Sequence, residues 1–257
     1  MKLSVKEAGK IKLQIFISHN SRYSRRKAMD LIFEGHVRVD GRMVKEPSVL
    51  ISPDKNIVCV DGERIEGSSF QYVLLNKPSG HVTTREDRLT DKTVFDLLPK
   101  ELHHLSPVGR LDKETEGLLL FTNDGSLAYT LTHPKFNVDK TYFVCIDAKL
   151  NDSHTKLVEK GFLLDGKRTS PARINQIKFL NSATEFNLTI HEGRKRQIRL
   201  MFEKLGYKVV YLKRVAQGPL ELGDLKKGEW RELRREEVEA LKKAKNDKNQ
   251  MSEYFSG

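Results

Sequence analysis

Val108-Gly109-Arg110-Leu111-Asp112-Lys113-Glu114-Thr115-Glu116-Gly117-Leu118-Leu119-Leu120-Phe121-Thr122-Asn123-Asp124-Gly125 sets a charged, glycine-bounded segment directly ahead of an unbroken apolar run. Leu118 to Phe121 read as a short buried strand, closed by the turn-forming Asn123-Asp124-Gly125. Asp112 therefore stands on a loop fixed by a rigid strand, the kind of position from which proteins present reacting groups. The residues alone favour a structural role, with Asp112 capping a turn or Arg110 paired to it.

Working outward, Tyr72 to Leu75 form another short buried strand, ended by Asn76-Lys77-Pro78-Ser79-Gly80. Lys140 to Ile146 and Val209 to Val215 are strand-like, and Thr184 to Ile190 alternates with Phe186, Leu188 and Ile190 on one side. Ser126 to Thr132 reads as a helix. So does Gln197 to Leu205, with Ile198, Met201, Phe202 and Leu205 on one face and Gly206 after it. No steady βαβ alternation and no internal repeat appear, which predicts an α+β domain over residues 71–245. From Glu236 the chain reads as a helix, acidic at its start and basic at Lys242, Lys243, Lys245 and Lys248, with a flexible tail over 246–257.

Upstream, residues 1–11 read as a flexible lead. Leu13, Phe16 and Ile17 give a helical stripe ending near Asn20. Ser24 is a candidate N-cap for a second helix carrying Ala28, Leu31 and Ile32 on one face and ended by Gly35. Val37 to Val44 turns back at Asp40-Gly41 as a hairpin, and a strand spans Asn56 to Val60. Glu63 to Ser69 reads as a linker region. The expected organisation is a small module over 12–66, a linker at 67–70, and the larger domain.

Lys and Arg number 46 against 35 Asp and Glu, a net charge of +11 that favours a polyanionic partner. Cys59 and Cys145 each lie in an apolar stretch and read as buried strand residues; no metal-ligand spacing or disulfide framework is present. The start has no long apolar core, so it does not read as a signal peptide, and nothing approaches the roughly 20 apolar residues of a membrane span. A cytoplasmic protein is expected.

The segment around Asp112 resembles the signature of pseudouridine synthases: Gly-Arg-Leu-Asp, then Thr-x-Gly and an apolar strand. The ending Thr122-Asn123-Asp124-Gly125 is similar to the RsuA/RluB/RluE/RluF family. Lys140-Thr141-Tyr142-Phe143-Val144 and Glu192 to Phe202 resemble two further motifs of that family, as do Leu75 to Gly80, Thr93 to Pro99 and Gly228 to Leu241. Leu200 stands where many members carry a second arginine. Ser24-Arg25-Arg26-Lys27-Ala28 and Gly35 to Gly41 resemble an S4-type RNA-binding domain, which this sequence departs from at Gln14 and Ile15. The resemblance implies a mixed, largely antiparallel sheet domain behind an S4-like αα-hairpin-plus-β module. It also implies isomerisation of uridine in ribosomal RNA or a pre-ribosomal particle, with the large-subunit RNA preferred over the small; a monomer is expected.

By the same resemblance Asp112 is the nucleophile, Tyr142 the active-site tyrosine and Arg199 the active-site arginine. The reaction breaks the bond from N1 to ribose C1′ and rejoins the base through C5, with no redox change, so no cofactor is expected. Asp112 must be ionised, and an unperturbed Asp, with a pKa of about 3.9, is ready at neutral pH. Arg199 is the candidate to keep it charged under a bound base. Ionising a tyrosine at pH 7 costs about 4 kcal/mol, so packing against uracil ranks ahead of proton removal from C5 as the role of Tyr142. Arg110 is expected to hold the flipped nucleotide or fill the space it leaves. Arg194, Lys195 and Arg196 are expected on phosphates, within a Gly193–Arg214 stretch of eight Lys/Arg and one acid. Arg25, Arg26 and Lys27 fall in a run from Asn20 to Lys45 with seven Lys/Arg against three acids, which favours phosphate contact over a merely solvated face. Charge and the S4-like module serve a non-catalytic RNA-binding or ribosome-assembly factor equally well, but that reading leaves Asp112, Tyr142 and Arg199 unexplained.

Overall fold

A computed structural model describes residues 10–53, 55–67, 70–85 and 92–254, the last ten of these as backbone alone. The chain divides into two compact units, Met1–Phe70 and Gln71–Gly257.

In the first unit a short strand β1 (Ile11–Lys12) precedes helices α1 (Leu13–Asn20) and α2 (Arg25–Phe33). Strands β2 (Val37–Val39), β3 (Arg42–Met43), β4 (Leu50–Ile51), β5 (Val58–Val60) and β6 (Glu63–Ile65) follow. The Ser24 hydroxyl accepts the Lys27 N–H at 3.2 Å and caps α2 as expected. Gly35, at φ 83°, ends it. Asp40 and Gly41 both take positive φ, the backbone that a two-residue hairpin turn needs. The Asp40 carboxylate also accepts the Ile57 N–H and the Asn56 side chain, so the turn is tied to the next strand. Leu13, Phe16, Ile17, Ala28, Leu31, Ile32, Val37, Val58 and Val60 close the core. Ser24→Ala is expected to weaken the start of α2 by about 1 kcal/mol, read as severalfold faster amide exchange at Lys27.

Two expectations need correction here. Glu63–Ile65 is a strand paired to β5, not linker. Asp61-Gly62, at φ 50° and 85°, is a second tight turn of the same kind as the first. Ile11 belongs to the fold too, paired with Ile51; residues 1–9 and the linker positions 68 and 69 lie outside the described residues.

The second unit is built on β7 (Tyr72–Lys77), β8 (Ser106–Pro107), β9 (Glu116–Thr122), helix α3 (Gly125–Thr132) and β10 (Lys140–Ile146). Helix α4 (Asp152–Lys160) and strands β11 (Leu163–Leu164), β12 (Lys167–Arg168), β13 (Arg173–Phe179) and β14 (Thr184–Ile190) continue it. Helix α5 (Gln197–Lys204), β15 (Val209–Gln217), β16 (Leu220–Glu221), β17 (Trp230–Glu232) and helix α6 (Arg235–Tyr254) complete it. The main sheet runs β13-β14-β10-β15-β9-β7-β17, with β16 on β15 and β8 on β9. Its pairings are antiparallel except β9 with β15, so the fold is α+β with a mixed, largely antiparallel sheet.

The central strands are apolar on both sides because both faces are covered. Val73, Leu75, Leu119 and Phe121 join a core with Tyr142, Val144 and residues of α4 and α5. Tyr72, Leu74, Leu118 and Leu120 pack with Leu127 and Leu131 of α3 and Leu241 of α6. At the parallel crossing, Gly117 has φ 102°, and a Cβ there would sit 2.2 Å from the Arg214 carbonyl oxygen. Only glycine lets the two backbones approach so closely at the strand that leads out of the Asp112 loop.

The last helix runs through Tyr254, past the boundary expected at 245, so Lys242, Lys243, Lys245 and Lys248 lie in its middle rather than its last turn. No Gly or Pro interrupts 235–254, and Ala, Leu, Glu and Lys sustain the helix. Cys59 and Cys145 are strand residues and free, but half-buried. Cys145 faces the opposite way from its buried neighbours Val144 and Ile146. No helix among the described residues is long and apolar enough to cross a membrane.

Candidate active site

The Asp112 loop is held by its backbone. Lys77, at the end of β7 and fully buried, sends its ammonium group under the loop. There it donates to the carbonyls of Pro78, Asp112 and Lys113 at 3.1 Å each and of Thr115 at 2.8 Å. Thr83 grips the other side: its hydroxyl donates to the Leu111 carbonyl at 2.9 Å and accepts the Leu111 N–H at 3.2 Å. The Gly80 N–H reaches the Lys113 carbonyl at 2.9 Å, and the Thr115 N–H reaches that of Asp112 at 3.0 Å. Burial pushes the Lys77 ammonium down to about 8, against the opposing pull of the Glu114, Glu116 and Asp112 carboxylates.

With the backbone so fixed, the Asp112 side chain is left over. Among the described residues its carboxylate has no hydrogen bond or ion pair, so it neither caps a turn nor pairs with Arg110, which is exposed. It opens into a cavity of about 550 Å³. Leu111, Tyr142, Ile190, Ile198 and Leu212 give that cavity its apolar lining. Arg110, Lys113, Arg194, Lys195 and Arg196 give it five cations against the single acid Asp112. An apolar floor under a cationic rim suits a planar base attached to a phosphate chain.

Six of the expected residues thus meet in one cavity: Asp112, Tyr142, Arg110, Arg194, Lys195 and Arg196. Two of the expected residues also have partners within the protein. Arg194 is half-buried and spends its guanidinium on the Lys167 and Arg168 carbonyls and on Glu192, leaving Lys195 and Arg196 as the exposed cations of that run. Arg199 makes no direct ion pair with Asp112. It donates to the Val209 carbonyl at 2.8 Å and toward that of Glu114 at 3.4 Å, and lines a neighbouring cavity. It still feels the Asp112 charge: burial and Arg196 lower its pKa, while Asp112 and Glu114 oppose that. Leu200, where an arginine is common, packs against the core. Arg25, Arg26 and Lys27 belong to the first unit, exposed on the opening turn of α2.

Lys77 and Thr83 were not singled out from the sequence. Lys77 had a signal, a cation closing an apolar strand just before Pro78-Ser79-Gly80; Thr83 had none. Glu116 was missed as well. It is buried at the head of β9, where it accepts the Tyr211 hydroxyl and pairs with Lys227, both at 2.8 Å.

Residues 71–204 match the RNA pseudouridylate synthase family, and residues 11–57 match the S4 domain. The chain belongs to the RNA pseudouridylate synthase family. It is 39% identical over 233 residues to the ribosomal large subunit pseudouridine synthase B of Bacillus subtilis, covering 90% of this chain and 95% of that one. An RNA pseudouridine synthase of Aquifex aeolicus is 37% identical over 236 residues, covering 91% and 94%. A crystal structure of a pseudouridylate synthase superposes with a TM-score of 0.64 at 34% identity, over 90% of this chain and 99% of that one. The synthase is an isomerase that converts uridine to pseudouridine in RNA, and its N-terminal unit contains an S4 domain.

Among the described residues no group of three or more His, Cys, Asp or Glu is arranged to hold a metal ion.

Proposed function

We propose that this synthase acts on ribosomal RNA, and on the large-subunit RNA in particular, with Asp112 as its catalytic carboxylate. The observation that carries the reading is the cavity itself: one acid, without a side-chain partner among the described residues and fixed through its backbone, faces an apolar floor beneath five cations. The name of the Bacillus subtilis relative supports the choice of RNA.

In this reading the target uridine leaves its stack, which costs a few kcal/mol and less where it is unpaired. The uracil lies against Tyr142, with proton removal from C5 as the second role of that side chain. Arg110 holds the flipped nucleotide, Lys195 and Arg196 take phosphates, and Arg199 acts on Asp112 through the field at short range rather than by contact. The C5 proton leaves and N1 gains one, so the isomerisation closes without an added group. The protein works as a cytoplasmic monomer.

The test is tritium release from ribosomal RNA labelled at uridine C5, run on large- and small-subunit RNA separately. Release from the large-subunit RNA alone is the expected result. Release from the small-subunit RNA alone overturns the choice of substrate, and RNA binding without release from either supports an assembly factor.

The S4-containing unit is proposed to anchor the RNA through Arg25, Arg26 and Lys27. Replacing all three by Ala is expected to weaken binding and reduce the slope of log affinity against log salt by about 2–3, near one per lost phosphate contact. An unchanged slope in a filter-binding titration removes these residues from the interface.

A further inference from the structure

We infer that the uridine cavity continues past Arg196 into a second chamber, which binds the nucleotide adjacent to the target uridine. The inference rests on the reading of the Asp112 cavity as the uridine site and adds a subsite to it. The second chamber, of about 570 Å³, is the size of the first. Arg196 lines both. It does so from a left-handed backbone, φ 53°, at the N-cap of α5. A side chain rarely adopts that conformation without a local reason, and here it puts a guanidinium at the junction of the two spaces.

Arg199 belongs to the second chamber and does not line the first. It lines the second chamber, bonds the Val209 carbonyl there and reaches toward the Glu114 carbonyl beside Asp112. Its Nε is buried without a partner, a donor that the protein leaves unused. On the far side Lys208 is exposed just ahead of β15, its backbone fixed by Asp147: the Lys208 N–H donates to the Asp147 carboxylate at 2.8 Å, and the Asp147 N–H donates to the Lys208 carbonyl at 3.1 Å. Asp147 and Glu203 complete the charged lining.

The inventory fits a nucleotide rather than a bare anion. Adjacent nucleotides share a phosphate, so a strand whose uridine enters the first cavity must carry a phosphate past its edge, where Arg196 stands. Three cations, Arg196, Arg199 and Lys208, exceed the two acids by the one charge that a phosphate brings. The acids remain as acceptors for a ribose 2′-hydroxyl or a base amino group.

Lys208 gives the cleanest test, since it lies outside the Asp112 cavity and its side chain is exposed. Lys208→Glu and the milder Lys208→Gln are compared with Lys156→Glu, an exposed lysine on α4 that lines neither cavity. With large-subunit ribosomal RNA as substrate, Lys208→Glu is expected to raise KM about tenfold or more, and Lys156→Glu less than about twofold. Equal effects at the two positions overturn the subsite. Once the converted uridine is mapped, oligonucleotides ending at it on its 5′ or 3′ side complete a cycle. One truncation is expected to cost the wild type about tenfold in affinity and to cost Lys208→Gln almost nothing further. Losses that simply multiply for both truncations also overturn it. Should the wild type convert no uridine, binding of the same RNA still ranks Lys208→Glu against Lys156→Glu. Failure of the catalytic reading is thereby kept apart from failure of the subsite.

Discussion

Asp112→Asn is expected to leave a folded, RNA-binding protein that releases no tritium from C5-labelled RNA. The substitution keeps shape and removes charge. In the fold the carboxylate has no intramolecular partner among the described residues, so its loss breaks no bond that holds the loop. The loop carbonyls stay on Lys77 and Thr83. Thermal stability should therefore stay within about 0.5 kcal/mol of wild type, the usual range for a surface-facing change. Turnover should fall by about 10³-fold or more, since an amide at this position is neither nucleophile nor base. RNA affinity should hold or rise slightly, because one negative charge leaves a cavity that receives phosphate. A variant that keeps a tenth of its activity would remove Asp112 from the chemistry altogether.

Lys77→Met is expected to damage both stability and turnover, though the side chain never meets the substrate. Methionine fills the space and carries no donor. Four carbonyls then lose a charge-assisted bond in a place closed to water. The gain from no longer burying an ammonium offsets part of that, and a net loss of about 2–4 kcal/mol is expected. Turnover should fall about tenfold to a hundredfold, because a shift of about 1 Å in a reacting group is enough to do so. Denaturant unfolding and single-turnover rates read the two effects separately.

The same lysine makes a pH prediction. Its pKa is about 8 in the fold and about 10.4 in an unfolded chain. Between those values the unfolded chain holds a proton that the fold has released. Stability from this group therefore rises with pH across the window and is lost as pH falls through 8. Lys140, which burial also holds at about 8, contributes in the same direction, so Lys77→Met should reduce the rise and not abolish it. Wild-type turnover should fall over the same interval, as the loop carbonyls lose donor protons from below.

The parts of the fold that alternation specifies were legible. Thr184–Ile190 and Lys140–Ile146 run over the residues their patterns indicate, because one face of each packs on the core and the other does not. Arg173–Phe179 was invisible: it is an edge strand, largely exposed, with no inward alternation to read. Glu63–Ile65 hid behind polar residues, since backbone pairing with β5, not side-chain burial, makes it a strand. The cavity followed the same division. Asp112, Tyr142, Arg110 and the Arg194–Arg196 run announced themselves through motif and charge. Those that hold it together, Lys77 and Thr83, act on carbonyl groups, and a carbonyl has no letter in the sequence. The partners of Arg194 and Arg199 were out of sight for that reason: they are carbonyls of β12, β15 and the Asp112 loop, far away along the chain.

The pairing of β9 with β15 joins Glu116 to Lys213, nearly a hundred residues downstream, and β17 closes on β7 later still. The middle of the sheet therefore stays open until β15 is made, and the β7 edge until β17 is made. During synthesis the strand behind the reactive loop must wait beside an unfilled edge until β15 leaves the ribosome, an arrangement that slows folding and exposes apolar surface in the interval. A nascent synthase cannot act on RNA before β15 and β17 have emerged and joined the sheet.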